Sequence, residues 1–153
     1  MSDRVNMQGQ YTHSIDAKKR LAIPAKFRDQ LNTDFVVTRS LRDKCLEVYP
    51  RAEWDAYLSS FSMLPDKDRI PIERYLNRCA VSDNFDSQGR ILLNDTLIAH
   101  AGLEKDVVVM GAGTRLEIWA DTAYEEQIVN NEEEARHAAV AYLDSLQQRN
   151  AER

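Results

Sequence analysis

The stretch SIDAKKRLAIPAKFRDQL, residues 14–31, places an acid four residues before an arginine, Asp16 and Arg20. A short apolar alternation follows, Leu21 and Ile23, and then Pro24. A second version, DSQGRILL, stands at residues 86–93. Shifting the chain by 70 positions aligns the two without a gap. Asp16 falls on Asp86, Arg20 on Arg90, Leu21 on Ile91, Ile23 on Leu93, Phe27 on Leu97 and Val37 on Val107. Further on, Leu46-Glu47-Val48-Tyr49 falls on Leu116-Glu117-Ile118-Trp119, and Trp54 on Tyr124. Matches sustained at one offset mark an internal repeat, and its period is too long for a solenoid unit. The chain reads as a duplicated half-domain.

Each copy has one plan. A lead-in strand (QYTHSID; VSDNFD) meets a tight connection (AKK; SQG) and a second strand (RLAI; RILL). A short helix follows (AKFRDQL; NDTLIAHAG), opened by Pro24 in the first copy and closed by Gly102 in the second. Two more strands complete each copy: DFVVTRSL and CLEVYP, then DVVVMGAG and RLEIWA. The pattern is β-β-α-β-β, twice. Four short strands and one helix do not close a core alone, whereas two copies can make a small barrel.

Helices follow each copy. RAEWDAYLSSF spaces Trp54, Leu58 and Phe61 helically, and Pro65 to Cys79 reads as another helix, with Pro71 permitting a break near its start. Thr122-x-x-Glu125 reads as a capping box, and the helix it opens softens at Asn130-Asn131 before resuming through EEEARHAAVAYLDSLQQR. The resulting division is 1–62, first repeat with trailing helix; 63–79, linking helix; 80–125, second repeat; and 126–153, C-terminal helix and tail.

The 153 residues carry a net charge of −5, unevenly spread. Residues 1–50 hold nine Lys/Arg against six Asp/Glu, whereas residues 121–153 hold three against eight. Within 14–28 five cations (Lys18, Lys19, Arg20, Lys26, Arg28) face Asp16 alone. A pI near 5.2 argues against a uniformly basic coat but permits one basic face. No apolar run is long enough for a membrane span, and MSDRVNMQGQ has no signal-type apolar region. Cys45 and Cys79 lack CxxC spacing, and His13, His100 and His137 stand at no metal-site spacing. Neither a metal nor a cofactor is expected.

The repeated acid and arginine admit three readings. The plainest is a turn-fixing ion pair, worth about 0–1 kcal/mol on an exposed surface. An enzyme reading would bring Asp16 and Asp86 together as a proton-sharing dyad. The arginine four residues after each acid argues against it by keeping both carboxylates ionised. The third reading is anion binding: arginine grips a phosphate or a guanine edge at two points, lysine adds point charge, and the acid orients the guanidinium.

The segments DAKKRLAIPAKFR, LEVYPRAEW, DSQGRILLNDTL, HAGL and LEIWADTAYE, in this order, resemble the MraZ family, which is defined by two D-x-x-x-R motifs in a duplicated layout. The resemblance spans nearly the whole chain. It implies an α+β fold of duplicated β-β-α-β-β half-domains forming an AbrB/MraZ-like double-split or swapped-hairpin β-barrel with flanking helices. It implies a non-enzymatic, sequence-specific DNA-binding transcriptional regulator, a repressor of its own cell-division and cell-wall operon. Such a regulator would bind promoter direct repeats as a ring of eight or more subunits, cytoplasmic and nucleoid-associated, with no membrane and no small-molecule substrate. It places the DNA-binding surface at the two loops of Asp16 and Arg20 and of Asp86 and Arg90; joined to the anion-binding reading, this puts DNA contact on Lys18, Lys19, Arg20, Arg28 and Arg90, with Asp16 and Asp86 orienting the arginines. The family often has glycine before the arginine, as at Gly89; here the first copy has Lys19. If that position needs positive φ, lysine is strained there. The cation-rich first copy is expected to carry more of the DNA contact than the second. The rival readings are an oligomeric scaffold or antitoxin-like protein that binds no DNA, and a small hydrolase built on the two acids.

Overall fold

In the computed structural model, which describes residues 4–152, the chain runs β1 (Gln10–Ser14), β2 (Arg20–Ala22), α1 (Ala25–Leu31), β3 (Phe35–Arg39) and β4 (Leu46–Pro50). Two helices follow, α2 (Arg51–Ser59) and α3 (Asp66–Arg78). The second copy repeats the order as β5 (Val81–Asp83), β6 (Arg90–Leu92), α4 (Asp95–Ala101), β7 (Asp106–Gly111) and β8 (Leu116–Ala120). The fold is α+β and duplicated. Local chemistry explains the elements. β3 and β7 are rich in β-branched valine. Asn94 caps α4 by accepting from the Leu97 N–H, and Gly102 ends it in the left-handed region at φ 60°. α3 runs through Pro71 without the break the sequence permits. Pro71, sixth in the helix, cannot donate to the carbonyl of Lys67, and that residue is exposed, so water can take the place of the lost bond.

The copies are intertwined. A six-stranded sheet has the order β1-β7-β8-β4-β3-β5, and a separate two-stranded ribbon pairs β2 with β6. Thus, among the described strands, β1 of the first copy pairs only with β7 of the second, and β5 of the second pairs only with β3 of the first. Every strand contact in β2–β6 and β4–β8 also joins one copy to the other. The ladder ends at β1 and β5, so the described strands form two sheets rather than one hydrogen-bonded ring. Two equivalent pairs lie directly opposite each other, Leu21↔Ile91 in the ribbon and Glu47↔Glu117 in the sheet. They mark a local pseudo-two-fold.

The symmetry is broken at the sheet's ends. His13 pairs with Val107, so its twin Asp83 would pair with Val37; instead Asp83 pairs with Phe35. The slip of two residues keeps each side chain on its own face. Phe85, where the first copy has Ile15, lays its ring on Phe35 with centroids 4.6 Å apart.

Strand alternation sorts the sheet into two faces. One carries Phe35, Val37, Leu46, Val48, Val107, Val109, Leu116 and Ile118, all essentially inaccessible, as are Leu21, Phe27, Ile91 and Leu97. Each such side chain contributes about 1.5–3 kcal/mol on burial. The other face carries Val36, Tyr49 and Glu47 together with Glu117 and Trp119. On it α2 and α3 pack Trp54 and Leu76 against Val36 and Tyr49. Cys45 is buried and Cys79 half-buried, both free thiols.

From Asp121 onward the chain forms a second compact unit. It comprises α5 (Asp121–Gln127), a 3-10 turn (Val129–Asn131) and α6 (Glu132–Ala151). The turn falls where Asn130-Asn131 interrupts the pattern, and the Asn131 side chain donates to the Gln127 carbonyl at 2.9 Å. No residue of α6 is buried. No helix among the described residues is long and apolar enough to cross a membrane.

Candidate nucleic-acid interface

The two D-x-x-x-R loops are the same structure built twice. Asp16 N–H donates to the Arg20 carbonyl at 2.9 Å, and Lys19 N–H donates to the Asp16 carbonyl at 3.0 Å. Asp86, Arg90 and Gly89 repeat both bonds at 3.0 Å. Three residues therefore separate acid from arginine in each tight turn, and the third takes a left-handed conformation as the chain reverses. Lys19 does so at φ 63° and Gly89 at φ 75°. The spacing in the motif is the length of this turn.

The acid holds the turn with its side chain. Asp16 Oδ1 accepts from the Lys18 and Arg20 backbone N–H groups, both at 2.9 Å, and Oδ2 accepts from Arg20 Nε at 2.9 Å. Asp86 Oδ1 accepts from Gln88 and Arg90 N–H, and Oδ2 from Arg90 Nε, again at 2.9 Å. The backbone N–H of each arginine is the main reason both carboxyls sit below the ordinary aspartate range. Burial opposes this, and the second backbone N–H together with the guanidinium tips the balance downward. Turn fixation and arginine orientation are one arrangement: with Nε tied to the acid, the Nη edge of the guanidinium is aimed.

The loops adjoin through the β2–β6 ribbon. Arg90 Nη1 also lies 3.5 Å from Asp16 Oδ2, so Asp16 serves both arginines. Arg90 is thereby held by two carboxylates. The Nη groups of Arg20 have no partner among the described residues. Lys19 Nζ reaches across to Asp95 of the second copy. Arg28, on α1, lies over Gly89: a Cβ there would come within 2.7 Å of Arg28 Cζ. Lys18 and Lys26 are exposed. The structure thus gathers the seven residues singled out in the sequence, six on the ribbon and its two loops and Arg28 on α1 over Gly89.

A model of the family described as "MraZ protein, putative antitoxin-like" matches residues 7–70 and again 76–145. The chain belongs to the MraZ family. Similar proteins include one of Pediococcus pentosaceus named "Transcriptional regulator MraZ", 44% identical over 138 residues, covering 89% of this chain and 96% of that one. Another of the same name, from Thermoanaerobacter sp., is 42% identical over 142 residues, covering 92% and 98%. One from Limosilactobacillus fermentum is 47% identical over 113 residues, covering 72% and 78%. The two stretches matched by the MraZ model fall on the two copies.

Two residues of this MraZ site were not foreseen. Asp95, the partner of Lys19, stands where the first copy has Ala25, so the repeat gives it no counterpart. Leu92, opposite Arg20 in the ribbon, is 59% exposed between two wholly buried neighbours. Its signal was the strand alternation itself, which sends position 92 outward.

Proposed function

We propose that this chain is a sequence-specific DNA-binding transcriptional regulator, a repressor acting at promoter direct repeats of its own operon, in the cytoplasm and at the nucleoid, and without catalysis. The carrying observation is the pair of arginines aimed from one ribbon by Asp16 and Asp86, with Lys18, Lys19, Lys26 and Arg28 around them. The names of the relatives support the same role. A guanidinium fixed at Nε offers its other edge to a guanine or a phosphate at two points. The acids are engaged by arginine and backbone donors, which disfavours the dyad reading. A weak basic patch on an acidic chain gains affinity by repetition, which favours an oligomer, and the family resemblance makes it a ring of eight or more subunits.

Arg20, with free Nη groups, and the neighbouring Lys18 and Lys19 put more of the contact on the first copy. Fluorescence anisotropy with duplex DNA from upstream of the chain's own gene tests this. Arg20→Ala is expected to weaken binding about ten- to a hundred-fold, as loss of a two-point base contact does, and Arg90→Ala less. Affinity should fall steeply with salt as counterions are released. Equal losses in the two variants, with subunit count unchanged, would remove the asymmetry. No binding at any salt would leave the scaffold reading.

A further inference from the structure

We propose that Leu92 reads sequence by packing against the 5-methyl group of a thymine in the major groove. The proposal rests on the DNA-binding reading above and deepens it. A singly exposed leucine is ordinary on a protein surface. The place of this one is not. In β6 the flanking Ile91 and Leu93 have no accessible surface, so alternation forces position 92 out of the core and onto the ribbon's outer face. Four outward positions make up that face: Arg20 opposite Leu92, and Ala22 opposite Arg90. Two are arginines held by carboxylates; a third is the large apolar side chain.

The dimensions fit. The major groove is about 12 Å wide and admits a two-stranded β-ribbon. Directly opposed residues in an antiparallel pair have Cα atoms about 4.5–5.5 Å apart. Base pairs stack about 3.4 Å apart along a strand. An Arg20 guanidinium on a guanine edge would therefore bring Leu92 over a base one or two steps away. Thymine alone presents a methyl group there. The charge around the ribbon complements DNA and explains why an apolar group would be carried into a phosphate-lined groove.

The two copies differ at this point. The twin of Leu92 is Ala22, whose single methyl reaches far less. The ribbon thus has a long apolar reader beside Arg20 and a short one beside Arg90. A reader with this asymmetry favours a site that has a direction over one that is its own reverse complement.

The full-length chain is used to select duplexes from a random-sequence pool, and each thymine of the selected site is replaced in turn by deoxyuridine, which removes only the methyl. Native protein is expected to bind about four-fold more weakly at one position, the effect of losing one buried methyl-sized group, within two base pairs of a selected guanine. Leu92→Ala should bind thymine and uracil duplexes alike there, with an unchanged salt slope, and Leu92→Met should restore the preference. If a sequence is selected but no thymine matters, or Leu92→Ala keeps the preference, the role of Leu92 is overturned and DNA binding stands. If Leu92→Ala changes the subunit count in sedimentation, the residue is a contact between copies and the proposal also fails. If the pool yields no enriched sequence, the DNA-binding reading falls, and this one with it.

Discussion

Lys19 holds a backbone conformation that glycine adopts without penalty. Its left-handed φ opposes that of Gly89 across the pseudo-two-fold, and a side chain in that region costs about 1 kcal/mol or more. The compensation is visible: Lys19 pairs with Asp95 of the other copy, and its charge stands in the basic cluster. Exposed pairs of this kind contribute only about 0–1 kcal/mol. Lys19→Gly is therefore expected to leave urea stability unchanged or raise it by up to about 1 kcal/mol, while DNA affinity falls. A stability loss above that would mean that the Asp95 pair outweighs the backbone strain. The need for positive φ at position 19 was legible in the sequence, because its twin is a glycine. The partner Asp95 was not, because nothing local to residue 19 points across the ribbon, and the twin of Asp95 is an alanine.

Among the elements, β4 and β8 hold the least legible feature. Glu47 and Glu117 face one another across the pseudo-two-fold, each 6% exposed. Arg115 bridges them, with Nε 3.1 Å from Glu47 Oε2 and Nη2 2.9 Å from Glu117 Oε2. Tyr49 Oη donates to Glu47 at 2.8 Å and Trp119 Nε1 to Glu117 at 3.0 Å. LEVYP and LEIWA read correctly as strands, but an acid in a strand ordinarily marks a solvent face. Here α2 and α3 pack on that face against Val36 and Tyr49, and helix placement is a tertiary outcome no strand pattern contains.

Burial pushes the Glu47 carboxyl upward, more than Tyr49 and Arg115 pull it down. Its folded pKa therefore exceeds the unfolded value of about 4.3. The ionised form is the less favoured one in the fold. The stability Glu47 contributes is present below the unfolded pKa and is lost as pH rises through the folded pKa. Glu47→Gln keeps an acceptor for Tyr49 and cannot ionise. Denaturation across pH should show the variant gaining on the native chain from about pH 4 upward, then running parallel. A constant difference across the range would mean that Arg115 neutralises the burial effect.

At the scale of the molecule, duplication at offset 70 and the β-β-α-β-β plan were legible, because matched apolar positions survive divergence. The strand exchange followed only from the resemblance, and the two-residue slip of β5 was not legible. A register shift of two preserves the hydrophobic pattern, so nothing in the sequence opposes it. The exchange has a direct test. The fragment 1–79 keeps β3–β4, but β1 loses its only partner, β7, and β2 loses β6. Alone it is expected to be unfolded by circular dichroism, or to sediment as a dimer in which each chain supplies the missing strands. Adding residues 80–153 should restore the native spectrum. A monomeric fragment that unfolds cooperatively would show that one copy suffices.

The same exchange sets a schedule during synthesis. Ser14 leaves the ribosome 92 residues ahead of Asp106, its partner at the end of β1. At about 5–20 residues per second, the first strand waits roughly 5–20 seconds for its place in the sheet. A long apolar strand left bare for that time would pair with any neighbouring nascent chain. β1 is short and reads Gln10-Tyr11-Thr12-His13-Ser14, polar at four of five positions and largely exposed even when paired. It is a strand able to remain in water until the rest of its sheet has been made.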